Sequence, residues 1–197
     1  MVKHLKLASR LQGAWETGLT GEKISIGCRV PKEFFVTSGA GESDITIHAG
    51  SFDEAMRDAG IENYNLMHYS SIMPAGAVEV ERPEGAVHGS VLETIMAVSN
   101  SETGVRATAG VVMGWVYDKR TGKKIGGLVA EHNSHEDEEH AVRMLRASVE
   151  NMFKNRYGNE AELRDVRIVT KSIVPEKRYG TAMVVVGFTS YEVPVLN

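Results

Sequence analysis

The spacing of apolar residues divides the chain into a weakly patterned start and a longer region with clear strand and helix periodicity. Scattered leucines within residues 5–11 indicate a short helix, and residues 24–26 indicate a short strand. Neither segment alternates for long enough to define a core on its own. We interpret residues 1–30 as an N-terminal arm of unknown role and residues 31–197 as the folded domain.

The first clear elements of the domain are a strand and a short helix. The run Phe-Phe-Val-Thr at 34–37 predicts a strand, and the glycine-rich run 38–43 predicts the turn that ends it. Ser51 and Glu54 have the spacing of a capping box, in which a hydroxyl and a carboxylate satisfy backbone amides at a helix start. Apolar positions with helical spacing follow, and Gly60 predicts the helix end.

Extended segments dominate the remainder of the chain. The predicted strands cover residues 65–73, 90–99, 105–117, 124–132, 165–173 and 181–192. Residues 119–122 predict a hairpin turn, and residues 136–157 predict a long helix that Gly158 ends. Hairpin spacing favours an antiparallel or mixed sheet, and long amphipathic helices beside such a sheet predict an α+β fold.

Composition and charge narrow the class of protein. Apolar residues make up 42% of the 197 residues, which excludes wholesale disorder. The chain has 22 Lys and Arg against 26 Asp and Glu, so its net charge of −4 argues against a nucleic-acid or membrane-surface partner. The single cysteine, Cys28, excludes an intrachain disulfide framework. No uncharged stretch reaches the ~20 apolar residues of a membrane helix, and we find no signal peptide. We therefore expect a cytoplasmic protein.

The most distinctive segment is residues 65–74, which reads Asn-Leu-Met-His-Tyr-Ser-Ser-Ile-Met-Pro with two serines in the middle of a predicted strand. A Ser-Ser pair is common on extended segments and predicts nothing by itself. Three other segments accompany it, namely Phe-Asp at 52–53, His-Gly-Ser-Val-Leu-Glu at 88–93 and Gly-Gly-Leu-Val-Ala-Glu-His at 126–132. In this order and spacing, the set resembles the pyruvoyl-dependent arginine decarboxylases.

The resemblance covers roughly residues 33–192 and implies self-cleavage between Ser70 and Ser71 into chains 1–70 and 71–197. The Ser71 hydroxyl would attack the Ser70 carbonyl, and the resulting ester would undergo β-elimination and hydrolysis, leaving a pyruvoyl group at position 71. The resemblance also implies a four-layer αββα sandwich and a homotrimer, or a dimer of trimers, with active sites between protomers.

The resemblance further implies decarboxylation of arginine to agmatine and CO₂ through a Schiff base on the pyruvoyl group. That group would be the electron sink, so neither PLP nor a metal is expected. By the family match, Asn65 polarises the Ser70 carbonyl or orients the ketone, Glu131 donates the proton, and Asp53 binds the guanidinium. From the residues alone, Asp53 is equally a first-turn helix acid, and Glu131 is equally a solvated carboxylate at a strand end.

Three alternatives remain open at this stage. The same chemistry on ornithine, lysine or histidine is one, because His68 stands where the family has small or aliphatic residues. A metal-dependent enzyme is another, since residues 131–140 gather histidines and carboxylates. The third alternative is an unprocessed, non-enzymatic oligomeric domain, which would remain a single intact chain.

Overall fold

The structure is a computed structural model that describes residues 25–196, and it divides the chain into two units. One unit consists of the two chain ends, and in its described part strand β1 (Ser25–Ile26) pairs antiparallel with strand β11 (Val195–Leu196). The other unit is residues 30–192. The helix expected within residues 5–11 lies outside the described residues, as does most of the arm.

Residues 30–192 form two β-sheets and two helices. The helices are α1 (Ala49–Ala59) and α2 (Glu138–Tyr157). The strands are β2 (Val30–Ser43), β3 (Tyr64–His68), β4 (Ile72–Pro74), β5 (Val78–Glu79), β6 (Ser90–Glu102), β7 (Ala107–Asp118), β8 (Lys124–Ser134), β9 (Ala161–Ile173) and β10 (Tyr179–Glu192). The predicted α+β class is confirmed, and neither α1 nor α2 is long and apolar enough to span a membrane.

The two sheets differ in how their strands pair. The first has the order β3-β6-β10-β2-β5, and it is mixed because β3 runs parallel to β6 and β2 runs parallel to β5. The second has the order β4-β8-β7-β9, and its pairs are all antiparallel. The hairpin predicted at residues 119–122 is present, since it joins β7 to β8.

Buried side chains of the described residues collect in three clusters. The inter-sheet core joins the two sheets and includes Phe34, Ile95, Val111, Met113, Val129, Val184 and Phe188. A second cluster packs α1 on the other face of the five-stranded sheet and includes Phe35, Ala55, Met183 and Val185. A third packs α2 on the outer face of the four-stranded sheet and includes Val112, Leu128, Leu145 and Val149.

The turn predicted at residues 38–43 is wrong, because β2 continues through this run to Ser43. Its glycines serve packing. A Cβ on Gly39 would lie 2.0 Å from the Ala55 oxygen, and one on Gly41 would lie 2.4 Å from the Ala55 nitrogen. Glycine at these positions lets the backbone of α1 approach the sheet closely, a use of glycine that resembles a turn signal in the sequence.

The capping box predicted at Ser51 and Glu54 is also wrong. Helix α1 begins at Ala49, and its N-cap is His48, three residues before the predicted cap at Ser51. Ser51 is buried, and its hydroxyl bonds the His48 carbonyl and the Thr181 hydroxyl. The hydroxyl that the sequence pattern predicts to cap the helix therefore bonds a residue of β10 instead. The predicted buried face and the helix end at Gly60, with φ of 69°, are confirmed.

The long helix agrees with the prediction except at its start and at one side chain. It begins at Glu138, where Asp137 is the N-cap and its carboxylate accepts the His140 backbone N–H at 2.8 Å. Helical spacing predicts Met144 on the buried face with Ala141 and Leu145, but Met144 is 43% exposed.

Candidate active site

The Ser70-Ser71 pair lies in a crossover, residues 69–71, that carries the chain from one sheet to the other. Strand β3 ends at His68 on the edge of the five-stranded sheet, and β4 begins at Ile72 on the edge of the four-stranded sheet. The prediction of a single strand over residues 65–73, with the serines at its middle, is therefore wrong. A local pattern shows that a segment is extended, but not that its pairing partner changes.

Backbone hydrogen bonds hold both ends of the crossover. The Tyr69 N–H donates to the Thr94 carbonyl on β6 at 2.6 Å, and the Val129 N–H on β8 donates to the Ser71 carbonyl at 2.9 Å. The Tyr69 ring packs against Phe188 with 5.6 Å between ring centroids. The crossover is thus anchored to both sheets. Within it, Ser70 is exposed and Ser71 is half-buried.

A tight turn surrounds the peptide bond between the two serines. The Ile72 N–H donates to the Ser70 carbonyl at 3.1 Å, an i to i+2 hydrogen bond with Ser71 at its centre. This donor polarises the carbonyl that a neighbouring nucleophile would attack. Sequence reasoning missed both this donor and the Val129 N–H, because a backbone N–H leaves no signal in the residue type.

Asn65 lies on β3, on the face of the sheet opposite α1, and it is exposed. Its neighbours in sequence, Tyr64 and Leu66, pack into the α1 cluster, so strand alternation places Asn65 on the opposite face of the sheet. Its amide Nδ2 donates to the Gly89 carbonyl at 2.9 Å. An amide nitrogen carries two hydrogens, so this bond leaves a second donor.

Glu131 lies on the four-stranded sheet, on the face that packs against the other sheet. It lies two residues after Val129 on β8 and pairs with Val111 of β7, and both of these valines belong to the inter-sheet core. The side chain is half-buried, and this burial raises the pKa of its carboxyl, an effect partly opposed by its own backbone N–H and by His68. A carboxyl group that retains its proton more readily than usual is suited to donate one.

The histidines that suggested a metal site do not converge with Glu131. His132 follows Glu131 on β8 and therefore faces the opposite side, where its ring lies 6.0 Å from that of His140 on α2. Burial lowers the pKa of His132, with a further contribution from His140. Among residues 25–196, no three His, Cys, Asp or Glu side chains come close enough together to hold a metal ion.

The structure does not bring Asp53 to this site within one chain. Asp53 is exposed on α1, and α1 packs against β2 and β10 on the face of the sheet away from the inter-sheet core. Because the helix begins at Ala49, Asp53 also lies beyond the first turn, so its interpretation as a first-turn acid is wrong. Ser71 is bonded to β8 two residues before Glu131, and Asn65 lies on the strand that leads into the crossover. Asp53 lies apart from them, on α1.

The chain is similar to known proteins over most of its length. The profile of the family Pyruvoyl-dependent arginine decarboxylase (PvlArgDC) matches residues 33–193. A Chlamydia abortus protein named pyruvoyl-dependent arginine decarboxylase AaxB is 32% identical over 193 residues, covering 84% of this chain and 94% of the relative. A Methanopyrus kandleri pyruvoyl-dependent arginine decarboxylase is 33% identical, covering 75% of this chain and 89% of the relative. The chain therefore belongs to the pyruvoyl-dependent arginine decarboxylase family.

Proposed function

We propose that this protein is a self-processing carboxy-lyase that converts arginine to agmatine and CO₂ with a pyruvoyl group made from Ser71. The observation that supports this most strongly is the geometry of the crossover. The Ser70 carbonyl accepts a hydrogen bond from the Ile72 N–H, and the half-buried Ser71 lies at the centre of that turn. An attacking hydroxyl and a polarised carbonyl are thus adjacent in a segment that both sheets hold.

Maturation would follow from these two residues. The Ser71 hydroxyl adds to the Ser70 carbonyl and loses its proton, and the peptide C–N bond then breaks to leave an ester and a free amine. Loss of the Ser71 α-proton breaks the Cβ–O bond and frees the Ser70 carboxylate. Water then replaces the nitrogen, which leaves as ammonia. The Ile72 N–H and a free Asn65 N–H stabilise the oxyanion, and each such donor is typically worth ~10²–10³ in rate.

The residues around position 71 fit a pyruvoyl group. The carbonyl of residue 71 is held by Val129 and would keep that bond after cleavage, and Glu131 lies two residues further along the same strand, β8. When formed, the pyruvoyl ketone supplies the electrophile and electron sink for decarboxylation, so no PLP is required. Glu131 holds the proton that replaces CO₂, and its raised pKa supports that role. Asn65 would orient the ketone through its second Nδ2 hydrogen.

Arginine as substrate and a trimer of cleaved protomers complete the proposal. A carboxylate accepts a guanidinium through two parallel hydrogen bonds, and Asp53 is an exposed carboxylate available for this role. Because Asp53 lies away from Ser71 in its own chain, it would serve the site of a neighbouring protomer, in a trimer or a dimer of trimers. The clusters beneath α1, between the sheets and beneath α2 support a four-layer αββα sandwich. We assign residues 31–197 to this domain and the protein to the cytoplasm.

Intact mass analysis of the purified protein tests the proposal directly. Wild type should consist of chains 1–70 and 71–197, and the larger chain should begin with a pyruvoyl group. Ser71→Ala removes the attacking hydroxyl and should give one uncut chain. Ser70→Ala is the matched control, since Ser70 contributes only its carbonyl, and this variant should still be cleaved. An uncut wild type, or normal cleavage in Ser71→Ala, would refute the proposed maturation.

The substrate is tested on the same preparation. CO₂ release is measured from arginine, ornithine, lysine and histidine, and kcat/KM should be highest for arginine. The difference in activation free energy between arginine and each of the others should exceed the ~1–3 kcal/mol that one methylene group supplies. A preference for one of the other three amino acids would leave the pyruvoyl chemistry intact and change only the substrate.

A further inference from the structure

The proposed reaction requires a supply of protons, and this requirement rests on the proposed function. Each decarboxylation replaces CO₂ with a proton, so Glu131 must be reprotonated in every cycle. Its side chain is half-buried on the inner face of β8. A half-buried donor between two sheets requires a route by which protons reach it from solvent.

Strands β6 and β8 run side by side across the gap between the sheets. At one end, the crossover links Thr94 of β6 to Val129 of β8 through the bonds of 2.6 and 2.9 Å. Five residues further along each strand, the Ser99 hydroxyl donates to the Ser134 carbonyl at 2.9 Å. Strands β6 and β8 therefore run in the same direction and stay in register over these five residues. By this register, Met96 of β6 lies opposite Glu131, since each is two residues beyond the crossover.

His68 reaches this position from the edge of the sheet. It is the last residue of β3, and its Nε2 lies 3.1 Å from the Met96 carbonyl oxygen. The Thr94 carbonyl points toward β3, because it accepts the hydrogen bond from the Tyr69 N–H. Carbonyls two residues apart in a strand point to the same side, so the Met96 carbonyl also points toward that edge, just beyond the end of β3. The imidazole thus lies in the sheet edge beside Glu131, and it is exposed to solvent. The electrostatic effect of His68 on Glu131 is consistent with this proximity.

We infer that His68 passes protons from solvent to Glu131 between turnovers. In this step an N–H of the His68 imidazolium gives its proton to the Glu131 carboxylate, and the neutral ring takes a proton from water. Imidazole is the side chain whose protonation changes most readily near neutral pH. His68 does not contact the substrate and acts only through Glu131.

Pre-steady-state kinetics of His68→Gln test the role. When the enzyme is first equilibrated at a pH acidic enough to protonate Glu131, the first turnover needs no proton from His68 and should keep its wild-type rate. Later turnovers should slow roughly 10-fold or more, on the scale of a lost acid–base group, so that agmatine appears as a burst of one per site. Added imidazole should restore the steady-state rate. His135→Gln is the matched control, because His135 also bonds a backbone carbonyl, that of Arg106, at 2.7 Å.

A second measurement needs no activity. In unprocessed Ser71→Ala protein, the His68 ring resonance is followed by NMR through a pH titration, with and without Glu131→Gln. Where Glu131 is ionised its charge favours the imidazolium, so Glu131→Gln should move the midpoint to lower pH. The His135 resonance should not move. An unchanged His68 midpoint would show that the two groups do not interact.

The outcomes separate this inference from the proposed function. A wild-type steady-state rate in His68→Gln, or a slow rate with neither a burst nor imidazole rescue, overturns the proton supply and leaves the decarboxylase intact. Absence of cleavage in the wild type overturns the proposed function, whereas the NMR coupling would still test the contact between His68 and Glu131.

Discussion

Glu131→Gln separates the chemistry of Glu131 from its contribution to folding. The amide has nearly the same shape as the carboxyl group, so the packing of β8 beside Val111 is retained. Loss of a positioned acid costs ~10²–10⁴ in rate. Because Glu131 is half-buried, water can substitute in part, and we expect the lower end. A 10²-fold loss is about 2.7 kcal/mol in the barrier.

The same substitution should not destabilise the protein above neutral pH. Burial raises the pKa of Glu131 in the folded state, so the folded protein holds this proton more tightly than the unfolded chain. The free energy of unfolding therefore falls as pH rises from the ordinary glutamate range through the raised folded value. An uncharged amide avoids this loss. Glu131→Gln should match wild type near pH 4 and equal or exceed its stability at pH 8.

Three measurements on one preparation of Glu131→Gln test the role of Glu131 as proton donor and its effect on stability. Intact mass should show that self-cleavage is retained, agmatine formation should show the ~10²-fold slower turnover, and urea unfolding at pH 4 and pH 8 should show the predicted sign. Glu102→Gln, the same change at an exposed position on β6, should alter none of them. Wild-type turnover by a fully processed Glu131→Gln protein would exclude Glu131 as the proton donor.

Three further substitutions test separate parts of the structure. Asp53→Ala should raise KM for arginine and reduce the preference over lysine, measured as kcat/KM for both; an unchanged preference would exclude Asp53 from substrate recognition. Asn65→Ala should slow self-cleavage by roughly 10²-fold, followed by gel over time, and an unchanged rate would exclude it as an oxyanion donor. Gly41→Ala places a Cβ 2.4 Å from the Ala55 nitrogen and should cost at least ~1–3 kcal/mol in urea unfolding. Gly76→Ala, with nothing within 4 Å, is its control and should cost far less.

The sequence determined those features that depend on neighbours along the chain. Strands β6, β7 and β8, the turn at 119–122 and most of α2 follow from periodicity and turn residues, and the structure has them within a few residues. The order of motifs around Ser70 and Ser71 also indicated the family, which the family profile and the relatives confirm.

Tertiary structure alone decided where those residues meet. The glycines of β2 have the sequence pattern of a turn, but in the fold they allow α1 to pack closely on the strand. Ser51 has the sequence pattern of a helix cap, but its hydroxyl bonds Thr181. The extended segment around Ser71 changes sheets because its pairing partner changes from β6 to β8. Placement of Asp53 away from Glu131 likewise depends on which face of the sheet α1 covers. Each of these outcomes depends on contacts between residues far apart in the chain, which a local pattern does not encode.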